Sequence, residues 1–197
     1  MRAMHEELTG TFVVVVGSSG SGKGTLIRHL KTSFPNVVFP SSHVTRPMRE
    51  NESEGFPYHF LSVEEFEKNI AEDKFLEWAQ FSGNYYGTLS ESILPHLTKG
   101  EVVIKELEVQ GVRLLLEKLP RHVLKIVFID AGNWEEYAEA RIHARAPISE
   151  GELAARRKRY EDEQTFKTEA DFVVQNKDGD LEIAKKQFEE IIRSIIT

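Results

Sequence analysis

Phe12-Val13-Val14-Val15-Val16-Gly17-Ser18-Ser19-Gly20-Ser21-Gly22-Lys23-Gly24-Thr25 is the stretch that decides how this chain folds. An unbroken apolar run of this length reads as a strand buried on both faces, and the pattern Leu26, Ile27 and Leu30 that follows reads as a helix. Between them, glycines let successive backbone N–H groups turn around one anion, the helix N-terminus adds its positive dipole end, and Lys23 supplies a mobile cation. A strand, a cradle of this kind and a helix in that order bind a nucleoside triphosphate. The competing reading, a flexible Gly/Ser linker, does not account for the strand and helix on either side. One position departs from the strict motif: Gly24 stands where Ser or Thr follows the lysine, and the hydroxyl comes one residue later at Thr25. The loop's own contribution to a bound Mg²⁺ is left open by that shift.

Working outward, apolar runs at 37–39, 102–104, 124–129 and 172–174 join 11–16 as strand candidates, and helical patterns at 25–34, 110–119 and 181–196 separate most of them. The last carries Leu181, Ala184, Phe188, Ile191, Ile192 and Ile195 on one stripe. Alternation of this kind predicts a three-layer α/β domain on a central parallel sheet. Two stretches interrupt it. Residues 41–95 hold a short strand candidate at 58–60, a helix at 63–73 and an aromatic, glycine-punctuated run at 77–88. Residues 133–166 are nearly all charged helix, broken at Pro147 and restarted by a capping box of Ser149 and Glu152. The expectation is a single domain over 1–197, with its core at 9–40, 96–132 and 167–197.

The 197 residues include no cysteine, which excludes disulfides and thiolate metal sites. A formal charge of −7 argues against nucleic acid as a partner. The absence of a long apolar window, and of an apolar core within the first ten residues, predicts a cytoplasmic chain with no membrane partner. Its arginines are clustered nonetheless. Arg46 and Arg49 lie together, followed by Glu52, Gly55 and Tyr58, and such forks grip phosphate; surface ion pairs are the plainer alternative. Arg141 and Arg145 share a helix face, with Arg156 and Arg157 on the next helix, and these read either as a solvated face or as cations that close over a group in transfer. Glu77 opens the aromatic run, where Trp78 and Phe81 are expected to fill a small cluster. A carboxylate there can accept from N1–H and the exocyclic amine of guanine. Glu106 and Glu108 follow the strand at 102–104, at the end where open parallel sheets bind ligands, although solvated strand-end charges would look the same. The histidines, His43 and His59 among them, form no ligand pattern and carry no assigned role.

Taken together these residues resemble the guanylate kinases, enzymes that transfer phosphate from ATP to GMP. The resemblance spans nearly the whole chain, from the loop Gly17, Ser18, Ser19, Gly20, Ser21, Gly22, Lys23, Gly24, Thr25 to Asn176. It implies a GMP-binding insertion at 41–95 and a helical lid at 133–166. It implies that Arg46, Arg49, Glu52, Tyr58 and Tyr86 serve the GMP phosphate, that Ser42, Glu77 and Thr88 read guanine, and that Glu106 and Glu108 stand where the family has Asp-x-Asp. Lys23, Arg46, Arg141, Arg145 and Arg156 become the catalytic cations, Asn176 lies by adenine, and Mg²⁺ enters with ATP. Val44 stands where the family usually has threonine. A related sugar-phosphate kinase without the guanine pocket, and a non-catalytic scaffold module, are the alternatives.

Overall fold

The computed structural model describes residues 8–81, 83–135, 142, 143, 148–177 and 179–196. They group into two compact units, one combining residues up to Phe12 with Val37–Leu124, the other combining Val13–Asn36 with the chain from Lys125 onward.

The second unit is organised by the valine run. Strand β1 (Thr11–Val16) is followed in the sheet by β7 (Leu124–Asp130) and β8 (Phe172–Gln175), the last two parallel, with Asp130 opposite Gln175. Every residue of 12–16 is fully buried, as continuous β-branched runs in covered strands should be. Helix α1 (Lys23–Ser33) buries Leu26 and Leu30, while α6 (Leu181–Ile196) buries Ala184, Phe188 and Ile192 at successive four-residue steps. Each large side chain so covered contributes about 1.5–3 kcal/mol relative to exposure. Leu181, expected on that stripe, is exposed instead, because it is the first residue of the helix. The two helices are also tied by polar contacts: Glu189 accepts from Ser33 at 2.8 Å and meets His29 at 2.7 Å. Helix α5 (Glu150–Phe166) starts at the predicted capping box, with Glu152 N–H donating to Ser149 Oγ at 3.3 Å.

The first unit contains a sheet of its own, ordered β3-β2-β5-β4, from β2 (Ser42–Val44), β3 (Tyr58–Phe60), β4 (Phe75–Phe81) and β5 (Asn84–Leu89). Strand β2 runs parallel to β3 and antiparallel to β5. The aromatic run is thus an antiparallel pair, Glu77 opposite Thr88 and Ala79 opposite Tyr86. Helix α2 (Val63–Ala71), started by a Ser62–Glu65 capping box, drops Phe66 onto Phe75 and Leu89, with Trp78 and Tyr85 against them. Trp78 is therefore in the cluster as expected. The unit is completed by α3 (Leu94–Thr98), β6 (Val102–Glu106) beside the opening residues of β1, and α4 (Val109–Lys118), which lies against β4.

The expected strand at 37–39 is reduced to one bridge, Val38 to Val103. Val38 uses its N–H on Val102 and its carbonyl on Ile104, and Pro40 then ends the pairing because it has no N–H to donate. Among the described residues no helix is long and apolar enough to cross a membrane.

Candidate functional site

In the second unit, the loop between β1 and α1 is shaped by what its glycines exclude. Gly17 has φ 143°, and a Cβ there would lie 2.4 Å from the Ile129 carbonyl oxygen on β7; Gly22, the residue before α1, has φ 89°. The left-handed backbone at both positions suits glycine and strains any other residue. The Ser18 and Ser21 hydroxyls are buried with no hydrogen-bond partner, polar groups that a phosphate oxygen would satisfy. Lys23, the first residue of α1, turns its ammonium onto the carbonyls of Gly17 and Ser18. Gly24 and Thr25 complete that first helical turn; the Thr25 hydroxyl accepts from Arg28 at 3.3 Å, and nothing lies within 4 Å of where a Gly24 side chain would begin.

Asn176 is only 3% exposed and works on this loop directly. Its side-chain amide donates to the Ser21 carbonyl at 2.7 Å, and its backbone N–H donates to the Asp130 backbone carbonyl at 2.7 Å. Burial pushes the Asp130 carboxyl up, but the Lys167 ammonium at 2.5 Å, the Gly132 N–H and Gln175 together outweigh it and hold the carboxyl below its usual range. Arg156, on α5, reaches the loop, its Nη1 donating to Ser19 Oγ at 3.4 Å. Tyr160, one turn on, donates to the Gly132 carbonyl at 2.5 Å and packs its ring against Trp134. Arg157 turns away to Glu135 and Glu161. Arg141 and Arg145 lie outside the described residues.

In the first unit, Arg46 holds Glu52 in a fork, with both N···O distances 2.6 Å. That hydrogen-bonded pairing raises the guanidinium and, with the Arg49 N–H, depresses the Glu52 carboxyl to about 2. The Arg46 guanidinium sits over the Tyr58 and Phe60 rings, 5.1 and 5.7 Å from their centroids, within hydrogen-bonding reach of Tyr86. Arg46, Glu52, Tyr58 and Tyr86 are thus one cluster, while the Arg49 side chain points to solvent. Burial raises the Tyr58 phenol, and the Glu106 charge adds to that, placing Glu106 in the same field. Glu106, the last residue of β6, and Glu108, which precedes α4, are both exposed.

Glu77 lies deep in this unit, 4% exposed. Thr88, opposite it on β5, donates its hydroxyl to Oε1. On the far side Oε2 fills the space left by Gly111 on α4, where a Cβ would lie 2.4 Å away. Burial pushes the carboxyl up, countered by the Thr88 hydrogen bond and by the charge of Lys105. Ser42, also expected to meet a base, sits partly buried on β2 opposite Tyr58. The reading of the residues missed Lys105, which is buried, and Gly111 as the seat of Glu77. Lys105 directly follows the apolar run Val102-Val103-Ile104, a weak signal for its burial that leaves its neighbours unnamed; the place of Gly111 depends on tertiary packing that spacing does not record.

A family model described as guanylate kinase matches residues 9–195. Among relatives, the guanylate kinase of Rubrobacter xylanophilus is 40% identical over 95% of this chain and 95% of its own length. That of Synechococcus is 37% identical over 93% of this chain and 82% of its own. The crystal structure of guanylate kinase from Anaplasma phagocytophilum superposes with a TM-score of 0.70 at 22% identity, covering 95% of this chain and 86% of that one, and so shares the fold. With that span of agreement behind the phosphate loop and the buried carboxylate, the chain belongs to the guanylate kinase family.

Proposed function

We propose that the chain transfers the γ-phosphoryl group of ATP directly to a phosphate oxygen of GMP, giving ADP and GDP. The observation that carries the reading is Glu77, a buried carboxylate steadied by Thr88 and able only to accept when ionised. Guanine offers N1–H and a 2-amino group side by side to such an acceptor pair; adenine does not. Ser42 and Thr88 complete the base site. Arg46, Arg49, Tyr58 and Tyr86 receive the GMP phosphate, with Glu52 holding the Arg46 fork in place.

The acceptor oxygen is already anionic near neutral pH, so no strong general base is needed, and the work left to the protein is alignment and charge neutralisation. The loop N–H groups and the Ser18 and Ser21 hydroxyls hold the ATP phosphates. Lys23 exchanges its loop carbonyls for phosphate oxygens, and Arg156, with Arg141 and Arg145, meets the group in flight. Asn176 holds the loop in shape beside the adenine. Among the described residues no three side chains of the metal-ligating kinds cluster. An Mg²⁺ ion carried in on the triphosphate would find the Thr25 hydroxyl as an oxygen on the first turn of α1 and, when bound, would neutralise phosphate charge. Soluble nucleotide substrates suit a cytoplasmic enzyme.

A coupled ADP-release assay across GMP, AMP, UMP and phosphorylated sugars tests the assignment. Turnover confined to GMP and its close analogues is expected. Comparable rates with AMP, or no heat on titrating GMP into folded protein in the presence of a non-hydrolysable ATP analogue, would overturn it.

A further inference from the structure

Asp130, the last residue of β7, is 5% exposed and follows directly on the apolar run Ile126-Val127-Phe128-Ile129. A buried charge at the end of such a run needs a reason, because desolvation works against it and an apolar side chain would pack there without that cost. Its partners come from three parts of the second unit. Oδ2 accepts from the Lys167 ammonium at 2.5 Å and from the Gln175 side-chain amide of β8 at 3.3 Å, while Oδ1 accepts from the Gly132 N–H at 3.1 Å. Gly132 lies where the chain leaves the sheet for residues 133–166, and Lys167 directly follows α5, where it returns. One carboxylate therefore holds both stems of that segment. The charged pair is short and directional, which suits it to fixing a flexible lysine stem in one place.

From Asp130 the contacts run on to the phosphate loop by two arms. In the first, the Asp130 backbone carbonyl accepts the Asn176 N–H at 2.7 Å, and the Asn176 amide donates to the Ser21 carbonyl at 2.7 Å. In the second, the Gly132 carbonyl accepts the Tyr160 hydroxyl at 2.5 Å, and one turn back along α5 the Arg156 guanidinium donates to Ser19 Oγ at 3.4 Å. Leu153, Arg156 and Tyr160 are three and four residues apart and so share a face of the helix, which Leu153 and Tyr160 pack against the buried Trp134. Both arms end within the loop, and Asp130 is the residue they have in common. We propose that Asp130 is a positioning residue for phosphoryl transfer: by holding Gly132 on the way into 133–166 and Lys167 on the way out, it sets α5 so that Arg156 stands at the phosphate loop. This rests on the reading that Arg156 meets the group in flight.

Asp130 acts through Arg156, so its loss must show in more than stability. Asp130→Asn keeps the size of the side chain and removes its charge. Lys167→Met removes the ammonium from the partly exposed partner and keeps an unbranched stem. With the full chain, ATP, Mg²⁺ and GMP, kcat and KM are measured well below the melting temperature of each variant. Either substitution should lower kcat about ten- to a hundredfold, the scale of a misplacement of about 1 Å, while the GMP KM stays near its native value. Lys167→Arg should restore most of the rate. In an Arg156→Ala background neither substitution should cost anything further, because the cation they place is gone. Additive losses in that cycle, a loss confined to the GMP KM, or native kcat in both variants would overturn the inference. Arg156→Ala alone separates the two levels. If it keeps the native kcat, Arg156 does not meet the group in flight, and that part of the proposed function falls with the inference; if it loses rate while Asp130→Asn and Lys167→Met keep theirs, the inference falls alone. Should Asp130→Asn fail to fold, Lys167→Met carries the same cycle.

Discussion

The side-chain amide of Asn176, at the end of β8, donates to the carbonyl of Ser21 in the phosphate loop at 2.7 Å, so that strand and loop are held as one piece. The contact is close enough that a methyl group on Gly22 would stand 2.3 Å from the amide nitrogen. Asn176→Ala removes the donor and leaves a buried carbonyl without it. The expected cost is about 1–3 kcal/mol in a denaturant melt, together with a raised KM for ATP and little change in the KM for GMP. An ATP KM that stays put would mean the loop keeps its shape unaided.

Lys23 is bound to the loop's own carbonyls and contributes to the cradle rather than to the core. Lys23→Ala should lower kcat by about 10²–10³-fold, as loss of one transition-state contact does, with a melting temperature close to that of the native chain. Retained turnover would remove Lys23 from the mechanism.

Gly24 faces open space, so the position tolerates a side chain that the strict loop motif would supply. Gly24→Ser places a hydroxyl on the first turn of α1, and the helix should gain about 0.5 kcal/mol from the better helix former. The kinetic expectation is a lower Mg²⁺ concentration for half-maximal rate, read from a titration at fixed ATP. No change in that midpoint would assign the ion's protein contact elsewhere.

The Arg46–Glu52 fork makes a double-mutant cycle informative. Arg46→Ala should raise the KM for GMP far more than Glu52→Ala, because in the proposed function Arg46 meets the phosphate and Glu52 aims it. In the double variant the effect of losing Glu52 should vanish, since there is no fork left to hold. Additive effects would make the pair two independent contacts.

His43 supplies a pH signature. Burial, with His59 and Lys105, lowers its pKa to about 4, and its Nδ1 is buried with no hydrogen-bond partner. A group depressed in the folded chain binds more protons when unfolded, so stability is retained above about pH 6.5 and is lost as pH falls toward about 4. Glu77, raised by burial, works with the opposite sign, and Glu52 acts at a lower pH, between the ordinary carboxylate range and about 2. Urea melts across pH 6.5 to 4 should slope downward in the native chain and flatten in His43→Phe. An equal slope in both would exclude His43 as the titrating group.

The valine run and the glycine loop announced the second unit because continuous burial and positive-φ glycines leave marks in local composition. A capping box did the same for α5, where one hydroxyl and one carboxylate three residues apart suffice. The pairing of Glu77 with Thr88 across β4 and β5 was half visible: both residues stood out, but their register depends on β2 and α4 as well. Val38 misled because three apolar residues look like a strand until Pro40 is weighed. The environments of Lys105 and Gly111 were hidden for a different reason. Each depends on which strand or helix is brought against which, and a residue's own type carries little of that information.

The seat of the Glu77 carboxylate is a missing methyl. Because Oε2 occupies the volume a β-carbon at 111 would take, alanine there must displace the carboxylate, which under the proposed function would cost the base its partner and leave the Arg46–Glu52 fork in place. On that reading, recognition of the ring and capture of the tail are separable at a single codon.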